Sequence, residues 1–395
     1  MDIFECPFSL YARKTPNDLA LISKGERWSY VDCEIFIEGI GSSLKDFGVK
    51  APDPIAILSS KKFPTPLIFF ALFRLGAIAC PIDTDHPLET LPRRLDELGA
   101  LFLLYPDEIK LPKINRIALP FSKIFRKGKP SGQRFLEKKQ HATYLFTSGT
   151  TAKPKIACHT LGNHYYSALG SNAYLPIEKG DRYLLSLPVH HIAGIALLFR
   201  TFLAGATVAL GKEVEDITHL SLVPTQLKRL LDEKKISPYK HILIGGEQIP
   251  SPLYQQALNR NLNIRPSYGM TEMSSQITTH FDQVPFSLGH PLPYREIKID
   301  ADGELLVKGK VLFKGYLQRD GTLDLPLNLE GYFETSDLGT YSQKLGLRIR
   351  KRKDRLFISG GENIQPEEIE RALETLSPSG TVEYRLNMHL SNFKQ

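Results

Sequence analysis

Short runs rich in aliphatic and β-branched residues, Pro54-Ile-Ala-Ile-Leu-Ser, Arg182-Tyr-Leu-Leu-Ser-Leu, Ala206-Thr-Val-Ala-Leu and His241-Ile-Leu-Ile-Gly, alternate with apolar segments of helical length such as Thr65 to Leu75. That alternation predicts an α/β fold. The two most apolar stretches, Pro66 to Ile82 and Ile192 to Leu210, are interrupted by Arg74 and Arg200, which argues against membrane spans. Both read as buried helices leading into strands. Past Pro291 the turn signals Asp302-Gly303, Asp320-Gly321 and Glu330-Gly331 separate short strands and predict a small β-rich subdomain. Leu103 to Gln140 is basic and poor in periodicity, so it is expected to run over the surface. At Gln365-Pro366-Glu367-Glu368, a proline in the first helical turn followed by acidic residues predicts a helix start.

The chain has 395 residues and 42% hydrophobic content, enough for a large core and for one big or two ordinary domains. Its formal charge of +7 suits an anionic ligand. Lys and Arg are spread along the sequence rather than gathered into an arm, so a nucleotide suffices and nucleic acid is not called for. Cys6, Cys33, Cys80 and Cys158 stand far apart with no CxxC spacing, which predicts reduced, buried thiols and a cytoplasmic protein. Met1 to Leu10 carries Asp2 and Glu5 where a signal peptide would be basic and then apolar.

Three segments carry chemistry. After the strand Tyr144-Leu-Phe comes Thr147-Ser148-Gly149-Thr150-Thr151-Ala152-Lys153-Pro154-Lys155, whose hydroxyls, backbone N–H groups and lysines can meet phosphate oxygens. GxxxxGK[ST] spacing is absent, and the same composition also makes a solvated surface turn. In Ser267-Tyr268-Gly269-Met270-Thr271-Glu272 an aromatic ring, a glycine, a hydroxyl and a carboxylate fall together, the parts for stacking on a base, bonding a phosphate and ligating Mg²⁺ through oxygen. A surface turn with a capping threonine fits those residues equally. Asp337, in Tyr332-Phe-Glu-Thr-Ser-Asp337-Leu-Gly339, is taken alone an ordinary turn aspartate. Gly245-Gly246-Glu247 after the apolar run His241 to Ile244 has the form of a strand-to-helix turn.

In this order the segments resemble the adenylate-forming superfamily of acyl-CoA synthetases, luciferases and peptide-synthetase adenylation domains. The resemblance implies an α/β protein with a large N-terminal adenylation domain over residues 1–351, made of two α/β subdomains and a small β-rich one, followed by a hinge and a truncated C-terminal lid over 352–395. It implies ATP held by Thr147, Ser148, Gly149, Thr150, Thr151 and Lys155, with Gly246 and Glu247 against adenine, Tyr268 and Gly269 beside it, Thr271 on the α-phosphate, and Asp337 and Arg352 on the ribose. Glu272 becomes the Mg²⁺ ligand, and Lys155, Thr271, Glu272 and His191 the catalytic set. Ala152, Ile156, Ser336 and Lys351 stand where glycines are usual. Either Asp354 or Arg355 serves as the hinge. The tail Ser377 to Gln395 lacks the Gly-Lys segment that carries the adenylation lysine in relatives, so a lid-deficient protein that binds nucleotide without full turnover stays open.

Residues His159-Thr160, Gly162-Asn163-His164, Leu187 to Gly194, Ser274-Ser275-Gln276 and Leu288 to Leu292 resemble the o-succinylbenzoate–CoA ligase branch of that superfamily. The branch implies a small carboxylic acid and CoA as the other substrates, with another aryl or fatty acid as the alternative. An aromatic dicarboxylate needs an apolar slot and an anchor for the carboxylate that does not react. Arg200, within the apolar run Ile195 to Leu203, would be costly to bury without an anion, though it could equally snorkel from a helix edge. His191 is the branch's residue near the reacting carboxylate, and it could equally be a satisfied core histidine.

Overall fold

The computed structural model describes residues 2–359 and 362–364 apart from 24, 60–63, 85–86, 131, 148–153, 234–235, 282–286 and 354–356, with backbone alone for 357–359 and 362–364. Ser148, Gly149, Thr150, Thr151 and Ala152 of the phosphate segment therefore lie outside the described residues, as do the hinge candidates Asp354 and Arg355 and the helix start at Gln365.

Two large sheets form the body. The first has eight strands in the order Leu323–Asp324, Gly315–Leu317, Lys155–Thr160, His141–Thr147, Ile78–Asp83, Pro54–Ser59, Phe102–Tyr105 and Ile117–Pro120. Its last five strands run parallel, as expected where helices cover both faces. The second has nine strands, His290–Pro291, Ser275–Thr279, Ile264–Met270, His241–Ile244, His219–Leu222, Arg182–Leu184, Thr207–Ala209, Leu19–Ser23 and Glu26–Ser29, parallel from Ile264–Met270 to Leu19–Ser23. A separate four-stranded antiparallel sheet, Arg295–Ile299, Glu304–Gly309, Phe333–Ser342 and Gly346–Arg352, is the small β-rich unit expected beyond Pro291. Not all of that region joins it: Gly315–Leu317 and Leu323–Asp324 extend the first large sheet instead.

The apolar stretches become what their patterns predicted. Thr65–Leu75 is a helix with proline in its first turn and Gly76 closing it at φ 75°, and Ile78–Asp83 follows as a strand. Ile192–Leu203 is likewise a helix leading to Thr207–Ala209. These helices face each other between the two large sheets, with Phe70 lying 5.6 Å from Phe199 and 5.5 Å from Phe202 between ring centroids. Each such ring removes roughly 150–250 Å² from water, so this layer welds the sheets into one core. Arg74 survives there because Glu34 and Glu38 meet it at 2.5 and 2.9 Å. Among the described residues no helix is long and apolar enough to cross a membrane.

The segment from Leu103 to Gln140 corrects the expectation of a surface stretch. It supplies strands Phe102–Tyr105, Ile117–Pro120 and Phe135–Glu137 and the short helix Phe121–Ile124, and it buries Leu103, Leu104, Leu119, Phe121, Ile124 and Leu136. Past Tyr105 the buried positions Leu119, Phe121, Ile124 and Leu136 are irregularly spaced among basic residues, so they do not register as a period.

Candidate active site

In open parallel sheets, ligands settle beyond the carboxyl ends of the strands where the strand order reverses. From Arg182–Leu184 the second sheet continues on one side to Thr207–Ala209 and on the other to His219–Leu222, His241–Ile244 and Ile264–Met270, so the reversal falls at this strand. Beyond these strand ends stand the loop that carries His190 and His191, the turn Gly245-Gly246-Glu247, and the Tyr268 to Glu272 segment. Gly246 takes φ 91°, a left-handed conformation that a side chain would strain. Gly269 has a different requirement: a Cβ there would lie 2.2 Å from the Ser275 carbonyl oxygen, so only glycine lets the two strands turn this tightly. Glu247 is exposed at the far end of its turn.

The four-stranded sheet brings Asp337 to this edge. Tyr268 Oη donates to Asp337 Oδ2 at 2.5 Å, while Arg352 Nη1 lies 3.4 Å from Oδ1. Asp337 and Arg352 are register partners on adjacent strands, which fixes the pair. Burial, reinforced by Asp337, holds the Tyr268 phenol well above its ordinary range, so it stays a donor. Ser336, at the usual glycine position, adopts φ 61° and donates its N–H to Glu304 Oε1 at 2.8 Å. A left-handed backbone is thus kept without glycine.

Glu272 sits buried on a single 3-10 turn, Thr271–Met273. Tyr316 Oη donates to its Oε1 at 2.7 Å, and among the described residues it has no ion-pair partner. A buried carboxylate that, among the described residues, is met by a phenol and no cation fits a site for a cation bound through oxygen. Lys155 opens the strand after the phosphate segment, and its Nζ lies 4.6 Å from the centre of the Tyr316 ring. Thr147, its register partner, brings its hydroxyl to 3.4 Å from the Lys155 carbonyl. Thr271 is held from behind: the buried His159 donates Nε2–H to its carbonyl at 2.7 Å. Burial pulls His159 down to about 4, so the ring is neutral near pH 7. Tyr316 and this use of His159 escaped sequence reasoning; the pairing of Gly315–Leu317 with Lys155–Thr160 is what delivers the tyrosine.

Arg200 does not snorkel. It is 2% exposed, its Nη2 donates to Ser275 Oγ at 3.1 Å, and its Nε has no acceptor. Burial pulls the guanidinium below its usual range. Arg295, also buried, donates to the carbonyls of Gln276 and Pro293 and to Ser167, and is satisfied by the fold; burial and the neighbouring Arg200 bring it down to about 9. Arg200 therefore reaches the strand that follows the Tyr268 to Glu272 segment as a buried cation with hydrogen-bonding capacity to spare. His191 is the N-cap residue of the Ile192–Leu203 helix and is exposed, with its ring 4.4 Å from that of His190. His190 in turn faces Asp83 at 3.7 Å and Ser59 Oγ at 3.4 Å, on strands of the first large sheet.

The family model described as AMP-binding enzyme matches residues 8–317. The chain belongs to that family. Among curated AMP-binding relatives, the 2-succinylbenzoate–CoA ligase of Bacillus subtilis is 31% identical over 92% of this chain and 80% of its own length. Its Escherichia coli counterpart is 34% identical over 78% of this chain and 68% of its own length. The solved B. subtilis o-succinylbenzoate CoA synthetase in complex with its acyl-adenylate intermediate superposes with a TM-score of 0.85 at 29% identity, covering 95% of this chain and 84% of that one. The same enzyme with ATP and magnesium gives 0.84 at 30% identity over 94% of this chain and 84% of that one.

Proposed function

We propose that this protein is an AMP-forming acid–CoA ligase that activates o-succinylbenzoate as its acyl-adenylate and transfers the acyl group to CoA. The observation that carries the reading is one crevice edge where Tyr268 and Arg352 hold Asp337, Tyr316 links the buried Glu272 to Lys155, and the buried Arg200 reaches Ser275. Relatives named for this reaction support the choice of acid. In the reading, Tyr268 and Gly269 pack on adenine with Gly246 and Glu247 opposite. Asp337 accepts the ribose hydroxyls and Arg352 neutralises it. Thr147, Ser148, Gly149, Thr150, Thr151 and Lys155 hold the phosphates, and Thr271 bonds the α-phosphate. Glu272 would hold Mg²⁺, which offsets charge on the phosphates when bound.

One carboxylate of the acid, placed by His191, attacks the α-phosphorus in line and pyrophosphate leaves. The CoA sulfur then attacks the acyl carbonyl, expelling AMP. Because the nucleophile is the substrate's own oxygen, the protein contributes chiefly position and charge stabilisation. Arg200 meets the carboxylate that does not react. Residues 1–351 form the adenylation domain in this reading, and 352–395 the hinge and lid segment. The four free, buried cysteines support a cytoplasmic setting.

A pyrophosphate-release assay over a panel of acids, with thioester followed by mass, tests the proposal. o-Succinylbenzoate should lead the panel. A clear preference for fatty or amino acids overturns the assignment.

A further inference from the structure

Tyr316 touches two of the segments that carry the chemistry and belongs to neither. Its strand, Gly315–Leu317, pairs antiparallel with Lys155–Thr160, and the approach is close: Lys314 donates its N–H to the Cys158 carbonyl at 2.8 Å. One residue earlier, Phe313 donates its N–H to the Glu272 carbonyl at 2.8 Å. The same short segment therefore holds Glu272 by its backbone through Phe313 and by its carboxylate through Tyr316 Oη, at 2.7 Å. The Phe313 ring packs edge-on against Tyr316 at 4.8 Å and leaves the other aspect of the phenol to Lys155, whose Nζ is 4.6 Å from the ring centre.

We propose that Tyr316 is a positioning residue that couples the metal-binding carboxylate to the phosphate-binding lysine: its hydroxyl fixes Glu272 with the second oxygen left for Mg²⁺, and its ring holds the Lys155 ammonium in place. This rests on the roles given above to Glu272 and Lys155. Outer partners of a ligating carboxylate typically govern metal affinity by 10–100-fold, and a cation over a ring contributes a smaller, separable part.

The test is calorimetric titration of ATP at a series of Mg²⁺ concentrations and in EDTA, for the wild type, Tyr316→Phe, Tyr316→Leu and Glu272→Gln. Tyr316→Phe keeps the ring, so it should raise the half-saturating Mg²⁺ about tenfold while ATP affinity in EDTA stays at the wild-type value. Tyr316→Leu should also weaken ATP in EDTA, by roughly three- to tenfold, because Lys155 loses its platform. If Tyr316→Leu does not fold, Tyr316→Phe alone decides. Glu272→Gln should lose the Mg²⁺ dependence. Should Glu272→Gln keep it, Glu272 is not the ligand and the wider reading is at fault. Should Glu272→Gln lose it while Tyr316→Phe titrates like the wild type, or needs less Mg²⁺, the positioning role of Tyr316 is overturned.

Discussion

Tyr268 and Asp337 are 69 positions apart in sequence, yet the phenol donates to the carboxylate at 2.5 Å and closes the second large sheet onto the four-stranded one. Arg352 shares the same carboxylate from the adjacent strand at 3.4 Å. The ring expected beside adenine and the carboxylate expected on the ribose are thus one bonded unit. Their separation is set before any nucleotide arrives, which lowers the ordering that binding must impose.

Asp337→Ala should weaken Mg·ATP binding by about 2–5 kcal/mol, the usual consequence of truncating one member of a buried, charged hydrogen-bonded pair. It should also destabilise the fold by about 1–3 kcal/mol, because the Tyr268 hydroxyl is left buried without an acceptor. Tyr268→Phe removes that orphan and separates the two effects: ATP affinity should fall far less than in Asp337→Ala. Calorimetry and urea melts on both variants read this, and equal ATP affinity in the wild type and Asp337→Ala would remove Asp337 from the site.

Acid should loosen the support behind Thr271. His159 is held down to about 4 by burial, below the ordinary 6.5 of an unfolded chain, and His164 beside it is displaced the same way. The unfolded chain therefore binds protons that the folded one refuses. This stability is complete above pH 6.5 and is lost as pH falls toward 4, by about 2 kcal/mol at pH 5 for His159 alone. Urea melts at pH 8 and pH 5 should show that loss in the wild type and a smaller one in His159→Gln. An equal pH dependence in both proteins would mean that His159 titrates normally.

Much of this was legible from spacing. The helix Thr65–Leu75 is bounded by proline and Gly76, local signals that need no tertiary partner, and the strands at Pro54, Arg182 and His241 are short apolar runs that a parallel sheet buries on both faces. Asp337 and the Tyr268 to Glu272 segment could be named, but not joined, because the bond between them depends on how two sheets meet. Tyr316 could not be found at all: it acts 44 positions from Glu272, through an edge pairing that composition does not encode. Leu103 to Gln140 differs from its surface reading for a related reason, since beyond Tyr105 its buried residues are irregularly spaced among lysines and arginines. Arg200 was ambiguous between two physical outcomes, and only its burial against Ser275 decided.

Gly269→Ala should disable the site through the backbone, without removing any polar or charged group. The added methyl meets the Ser275 carbonyl oxygen at 2.2 Å, a main-chain atom that cannot rotate away. The strand would have to shift, carrying Tyr268 and Thr271 on one side and Ser275, the partner of Arg200, on the other. Overpacking of this kind typically costs about 1–3 kcal/mol of stability, and a 1 Å displacement near the chemistry can cost about 10²-fold in rate. A folded Gly269→Ala protein with wild-type pyrophosphate release would show that the turn tolerates the movement.

Arg200 gives the sharpest prediction, because stability and function should move in opposite directions. Its guanidinium is buried against the hydroxyls of Ser275 and Tyr183 with no carboxylate partner among the described residues and an unsatisfied Nε, and it depresses a second buried cation, Arg295. A fold selected for stability alone would hold an apolar residue here. Arg200→Met keeps the length of the stem, removes the uncompensated charge and frees Arg295 from its neighbour, so the melting point should rise, by an amount corresponding to about 1–3 kcal/mol. The same change deprives the non-reacting carboxylate of its cation, which should raise KM for o-succinylbenzoate by an amount corresponding to about 2–5 kcal/mol. An analogue lacking that second carboxylate should bind Arg200→Met at least as well as the wild type, since its apolar ring no longer faces a charge. Thermal melts and a two-substrate KM comparison together decide the matter. An unchanged KM for the dicarboxylate would place its anchor elsewhere, and a lower melting point with that KM unchanged would make Arg200 a structural arginine whose pairing with Ser275 is its whole role.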